Sequence, residues 1–236
     1  MKNTRTPFQR FLAPVFFSLA IAITPLRAAD TNSYSYLPPG EPSAAVFLAP
    51  PPTPGSQEQA ADMAAVVAVF RACTTNEYAL AFSEKKFSIF NFTPAIGTFF
   101  QPGKFPKAEA FFERVQKEAE IVTDAGKDFW KRPRPFMTDT NLAVGKLETS
   151  YSYPSGHSTE GTVLALVLSD LFPDKHDGIM EVSRNLGWHR VWIARHYPSD
   201  IQASRAYAQT IVREMKKNPV FQRDFAEVQA EIATAK

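Results

Sequence analysis

The chain has 236 residues, enough for one sizeable hydrophobic core and short for two. With 44% hydrophobic and 21% charged residues it has the composition of a globular protein. Its formal charge of +2 rests on residues 1–28, which hold four basic and no acidic side chains; without them the charge is −2, which excludes an electrostatic case for nucleic-acid binding.

Residues 1–28 read as a secretory signal peptide. Lys2, Arg5 and Arg10 form a basic start, and residues 11–23 form an apolar stretch too short to span a bilayer. Small residues at Ala28 and Ala29 mark the cleavage region, with Leu26 an imperfect fit three positions before the bond. This predicts a periplasmic or secreted protein with no stable membrane span in the mature chain. Residues 29–56, with "YLPPGEPSAAVFLAPPPTPG" over 36–55, read as an extended proline-rich segment. Residues 57–236 form the predicted helical domain.

Within that domain the apolar spacing predicts helices over 57–74, 106–130, 158–171, 177–194 and 199–217, with a last one after Pro219. On the second of these, Phe111, Val115, Ala119 and Val122 share a stripe. Residues 97–103 read as a loop. Period-two alternation is confined to a few residues, so the fold class is all-α, a single-domain helical bundle. Cys73 is the only cysteine, which rules out an intramolecular disulfide and reads as a buried, inert thiol.

Three stretches carry chemistry. In "GKDFWKRPRPF", Pro133 and Pro135 hold Arg134 extended, and Lys127 lies seven residues before it. Lys131 and Arg132 read as a solvated basic cluster at a helix end. In "SYPSGHSTEG", Pro154 suits a helix start, Gly156 lets backbone approach a ligand, and Ser155 adds a hydroxyl to an anion-binding helix N-terminus. His157 then stands where it can pass a proton. In "WHRVWIARHYPSDIQASR", Asp200 follows His196 by four residues, so the carboxylate can fix the imidazole and leave its other nitrogen as a nucleophile. Ser199 also reads as an ordinary N-cap. Lys127, Arg134 and Arg190 supply three cations, which suits a phosphate dianion.

These three stretches resemble the signature of the acid phosphatase/vanadium haloperoxidase superfamily (type 2 phosphatidic acid phosphatase-like). The chain is similar to secreted bacterial class A non-specific acid phosphatases, including flanks such as "FLAPPPTPGS", "AFSE" and "NPVFQRDFAEVQAE". The resemblance implies hydrolysis of phosphomonoesters, small-molecule substrates, through a phosphohistidine. His196 would be the nucleophile, Asp200 its orienting partner and His157 the proton donor. Lys127, Arg134, Ser155, Gly156 and Arg190 would bind phosphate. No metal or other cofactor is implied. Phosphotransfer to an alcohol acceptor would share the intermediate, and a homo-oligomer is a further implication. The family usually has serine where this chain has His189; His189 reads either as a third pocket histidine or, as the helical neighbour of Arg190, as a residue facing elsewhere, the second being the expectation. His176 reads as a loop residue. Tyr153 and residues 87–100 could line an apolar mouth, although most of those phenylalanines read as core. The alternatives in the same pocket are a vanadium-dependent haloperoxidase and a lipid phosphatase; a phosphate-binding module without turnover is the alternative from another class.

Overall fold

A computed structural model describes residues 35–234. The expected signal peptide, residues 1–28, and the first residues of the proline-rich stretch lie outside the described residues. No strand occurs among those described, and the fold is all-α.

The helices in chain order are α1 (Ala44–Phe47), α2 (Gln57–Ala72), α3 (Thr75–Ser83), α4 (Thr93–Ile96), α5 (Pro106–Trp130), α6 (Pro135–Thr138), α7 (Gly156–Leu171), α8 (His176–Trp192), α9 (Pro198–Lys217) and α10 (Pro219–Ala233). Prolines explain several boundaries. Helices α5, α6, α9 and α10 each begin on one, where a fixed φ helps and a missing N–H costs nothing. His176 opens α8 rather than sitting in a loop. Helix α3 falls in a stretch without a strong apolar stripe; a capping box between Thr74 and Glu77 starts it, with Thr74 Oγ1 accepting from the Glu77 N–H.

Helix α7 is the central element. Val163, Leu164, Ala165, Val167 and Leu168 are fully buried, so this helix is apolar nearly all round, as an inner helix must be. It packs against α5, α8 and α9. An aromatic cluster including Phe92, Phe100, Phe105, Phe111 and Phe172 fills one end of the bundle. A smaller cluster of Val66, Phe136, Leu142, Val191, Tyr197 and Ile201 lies under α2. Tyr153 is core too: it is 3% exposed and donates to the Ala49 carbonyl at 2.7 Å.

The proline-rich segment differs from the extended reading, because it carries the helical turn α1 and is pinned to the bundle. The Ser35, Tyr36 and Leu37 N–H groups donate to the Glu118 carboxylate on α5 at 2.7–3.0 Å, and the Tyr36 hydroxyl donates to Asp224 on α10 at 2.9 Å. Buried donors satisfied in this way make the segment part of the core. Gly126 on α5 permits one further approach. A Cβ there would lie 2.7 Å from Ala44 Cβ and 3.0 Å from Pro154 Cδ, so its absence lets the Pro154 turn settle beside Lys127. Cys73 differs as well: it caps α2 and is only partly buried, and desolvation pushes its thiol pKa up.

Candidate active site

Two backbone turns bring the arginines and the second histidine inward. Lys131 ends α5 in the left-handed region at φ 49°, its N–H bonded to the Lys127 carbonyl at 2.9 Å. Ala194 takes φ 53° directly before Arg195 and His196. Left-handed backbone costs an L-residue roughly 1–2 kcal/mol, and such residues concentrate at functional sites. Here one lies directly before Arg132 and the other directly before Arg195 and His196, all three of which are buried.

His196 is 3% exposed. Arg134 Nη1 lies 3.1 Å from its Nε2. A guanidinium only donates, so Nε2 must be accepting and the ring hydrogen sits on Nδ1. That nitrogen faces Asp200 Oδ2 at 3.4 Å and Ser152 Oγ at 3.5 Å. Burial lowers the imidazole pKa well below its ordinary value, and Arg134, Lys127 and Arg190 push the same way. His196 is therefore a neutral, oriented imidazole with its lone pair among cations.

Asp200 is fully buried. It accepts from Arg132 Nη1 at 2.5 Å, from Ser152 Oγ at 2.5 Å and from the Tyr197 N–H at 2.9 Å. Burial raises its pKa, while Arg132, Ser152 and Tyr197 pull against that shift. Arg132 is 5% exposed and also donates to Asp62 at 2.7 Å and Gln59 at 2.7 Å from Nη2. Its guanidinium lies 3.9 Å from the centre of the Tyr197 ring. The solvated-cluster reading of Arg132 is thus corrected: the left-handed turn at Lys131 swings it inward, where two carboxylates hold it. Ser199 is corrected too. Tyr197 is the N-cap of α9, and the Ser199 hydroxyl, one residue into the helix, donates to Asp62.

His157 lies on the other wall. Its Nε2 is 3.0 Å from the Glu84 carbonyl, which only accepts, so Nε2 carries a hydrogen and Nδ1 is the nitrogen that gains or loses a proton. Phe87 packs on the ring at 5.3 Å between centroids. Burial lowers its pKa to about 3, with Arg190, His196 and Lys127 adding to the shift. The two walls are tied together through α9: the Ser155 N–H, two residues before His157, donates to Ser204 Oγ at 2.7 Å, and that hydroxyl donates to the Asp200 carbonyl at 2.7 Å. A cavity of about 380 Å³ adjoins His157, lined also by Phe87, Lys85, Lys86, Gln116 and Glu160. Of the aromatic stretch 87–100, Phe87 is the residue that stands at this cavity.

The cations differ in how they are held. Arg134, 3% exposed, donates to the carbonyls of Ser150 and Arg195 at 2.7 and 2.9 Å and has no carboxylate ion-pair partner among the described residues. Burial pulls its pKa down. Arg190 donates to the Ala81 carbonyl, lies 3.5 Å from Glu84 Oε2, and is pushed down to about 10 by burial. Lys127 is paired with Asp124 at 2.7 Å. Gly156 is the first residue of α7; a Cβ on it would meet Glu160 Oε1 at 3.2 Å and Lys127 Nζ at 3.4 Å, so glycine keeps that N-terminus open to a small anion. Ser155 caps α7, its Oγ 3.4 Å from the Ser158 N–H. His189 does not face away. Its Nδ1 pairs with Glu84 at 2.7 Å and its ring stacks on Trp192.

The geometry brings all eight residues singled out from the sequence to one region and adds Arg132, Asp62, Ser152 and Glu84. Residues 118–220 match the PAP2 superfamily. That stretch contains every one of the eight. Over that stretch the chain is similar to the PAP2 superfamily. It is 25% identical over 228 residues to the non-specific acid phosphatase of Salmonella typhimurium, covering 92% of this chain and 91% of that one. It is 28% identical to an acid phosphatase of Zymomonas mobilis over 81% of this chain and 76% of the other. With the non-specific acid phosphatase of Providencia stuartii it shares 33% identity over 127 residues, which span about half of each protein (52% and 51%). A crystal structure of a transmembrane PAP2-type phosphatidylglycerolphosphate phosphatase from Bacillus subtilis has the same fold at 17% identity, with a TM-score of 0.51 over 69% of this chain and 87% of that one. No described helix here is long and apolar enough to cross a membrane.

Proposed function

We propose that the chain is a metal-independent acid phosphatase that hydrolyses small phosphomonoesters through a phosphohistidine, in the periplasm or outside the cell. The observation that carries this reading is the state of His196, whose Nε2 accepts from Arg134 at 3.1 Å while its Nδ1 faces the buried Asp200. A neutral imidazole whose lone pair Arg134 holds until that guanidinium turns to a bound phosphate, with Lys127 and Arg190 nearby, suits attack on phosphorus. A cation and an anion about 4 Å apart gain roughly 4 kcal/mol at an effective dielectric of about 20.

His196 Nε2 attacks phosphorus in line. The nitrogen–phosphorus bond forms as the bond to the ester oxygen breaks, and protonated His157 passes the proton on Nδ1 to the departing alkoxide. Lys127, Arg134, Arg190, the Ser155 hydroxyl and the Gly156 N–H meet the charge on the equatorial oxygens. Neutral His157 then takes a proton from water, which attacks phosphorus and frees His196. An alcohol in place of that water gives phosphotransfer. The cations supply the charge stabilisation that metal ions provide elsewhere, so EDTA is expected to leave the rate unchanged.

The same cations that depress His157 are offset by a bound phosphate dianion, so substrate restores the proton His157 needs. Activity is expected to fall as pH rises through the His157 pKa of the complex, the alkaline limb of a bell-shaped profile. The direct test is alkali-quenched intact-mass analysis after mixing with p-nitrophenyl phosphate. One added phosphoryl group, acid-labile and absent in His196→Ala, is expected; steady turnover by His196→Ala would overturn the nucleophile assignment.

A further inference from the structure

We propose that Glu84 is a positioning residue of the phosphate pocket, setting Arg190 and His157 from the C-terminus of α3. The proposal rests on the phosphatase reading of the site. Glu84 is the residue at which α3 ends, and its backbone and side chain contact different parts of the site. Its carbonyl accepts from His157 Nε2 at 3.0 Å. Its Oε2 lies 2.7 Å from His189 Nδ1 and 3.5 Å from Arg190 Nη2. The Ala81 carbonyl, one turn earlier, accepts from Arg190 Nη2.

The last carbonyls of a helix lack partners within it and carry its partial negative charge. In α3 they meet a guanidinium and an imidazole that must both be cationic in the working site. This fixes two groups from a single rigid end, which a surface loop could not do as well. The unequal distances indicate what the carboxylate does. At 2.7 Å its principal partner is His189, whereas at 3.5 Å from Arg190 it orients that side chain without a full ion pair. Were Glu84 to close fully on Arg190, it would compete with phosphate for the same cation. His189, standing where the family resemblance leads one to expect serine, holds the carboxylate back. Its ring is itself fixed by stacking on Trp192, 4.1 Å between centroids. Glu84 is nearly buried, its side chain 12% exposed, so the arrangement is little screened by solvent.

The test uses orthovanadate affinity of the whole chain, measured by calorimetry, beside kcat and KM for p-nitrophenyl phosphate and a thermal melt. Glu84→Gln is expected to weaken vanadate binding about 10- to 100-fold and to lower kcat more than it raises KM. Combined with Arg190→Gln it should add little, because the two act as one unit. Vanadate affinity unchanged in Glu84→Gln, with only the melting temperature lowered, would reduce Glu84 to a structural role and overturn the proposal. If Glu84→Gln does not fold, His189→Phe decides the matter, since it keeps the stack on Trp192 and removes the bond to Glu84. A several-fold loss of vanadate affinity supports the proposal, and affinity within two-fold of the parent overturns it. A parent chain that binds no vanadate would overturn the phosphatase reading itself, a result separate from any difference between variants.

Discussion

The two imidazoles of the site are held by different kinds of partner. His196 is backed by a chain of buried charge running from Asp200 through Arg132 to Asp62, three ionisable groups each under a tenth exposed. His157 is backed by one backbone carbonyl and an aromatic ring, beside an open cavity. The difference fits the demands that the proposed mechanism places on each ring. A nucleophile must keep one tautomer and one aim through two bond changes at the same atom, so its support is ionic and redundant. A proton donor must change charge twice per turnover, and a fixed carboxylate partner would hold it protonated. A carbonyl accepts the Nε2 hydrogen in either state and leaves Nδ1 to titrate.

The sharpest way to break this comparison is to remove each ring. His196→Ala is expected to lose at least about 10⁴-fold in kcat for every substrate, since no other group can form the covalent intermediate. His157→Ala should behave unequally. With an alkyl phosphate the loss is expected at about 10²- to 10⁴-fold, but with p-nitrophenyl phosphate, whose leaving group needs little protonation, the burst of product should survive and only the steady rate should fall. Stopped-flow traces on the two substrates separate these outcomes. Equal losses for both leaving groups would assign His157 to binding instead.

The ionic side should also fail in stability where the carbonyl side does not. Arg132→Gln leaves Asp200 and Asp62 buried without their cation, and breaking such an arrangement costs about 3–5 kcal/mol. Urea unfolding should report that loss together with a slower kcat. Phe87→Leu, which alters packing on His157 and at the edge of the core, is expected to change stability by under about 1.5 kcal/mol. A stable Arg132→Gln with full activity would show that Asp200 orients His196 unaided.

The same asymmetry governs how much the sequence reveals. The eight residues first singled out are legible because proline, glycine and histidine force unusual local chemistry, and the long helices are legible from their apolar spacing. Helix α5 runs over 106–130 as its stripe predicts. The supporting residues are harder to see. Arg132 looks like any basic residue after a helix, and only the left-handed Lys131 turns it inward. Asp62 carried a signal that could have been used: an acid beyond the first turn of α2, amid alanines and valines on a face that must be buried, asks for a cation. Glu84 carried less, because α3 lacks a strong apolar stripe and the contacts it makes lie more than 70 residues away. Ser199 beside Asp200 has the form of a cap, yet Tyr197 takes that place because Pro198 opens the helix.

Two carboxylates, Asp200 fully buried and Glu160 partly so, sharpen the comparison further. Asp200 has Arg132, a hydroxyl and an N–H, whereas Glu160, one turn along α7 from His157, has the Gln116 amide at 2.9 Å. Burial pushes Glu160 up to about 7, with Gln116 and Lys127 pulling it down and Glu120 and Asp124 adding to the rise. Its folded pKa therefore lies above the unfolded carboxyl value. Between those two values the folded chain holds a proton that the unfolded chain releases. The contribution is fully present below about pH 4.5 and is lost as pH rises through 7, by roughly 3 kcal/mol at most. Glu160→Gln keeps a neutral side chain at every pH, so its stability should decline less than the parent's between pH 5 and pH 8. Chemical denaturation at several pH values in that range checks the difference in slope; parallel curves would mean that the folded carboxyl titrates near its unfolded value. A neutral Glu160 also leaves Lys127, its neighbour across Gly156, with more of its charge available to an incoming phosphate. An acid working range would thus favour the proton on His157 and the proton on Glu160 together.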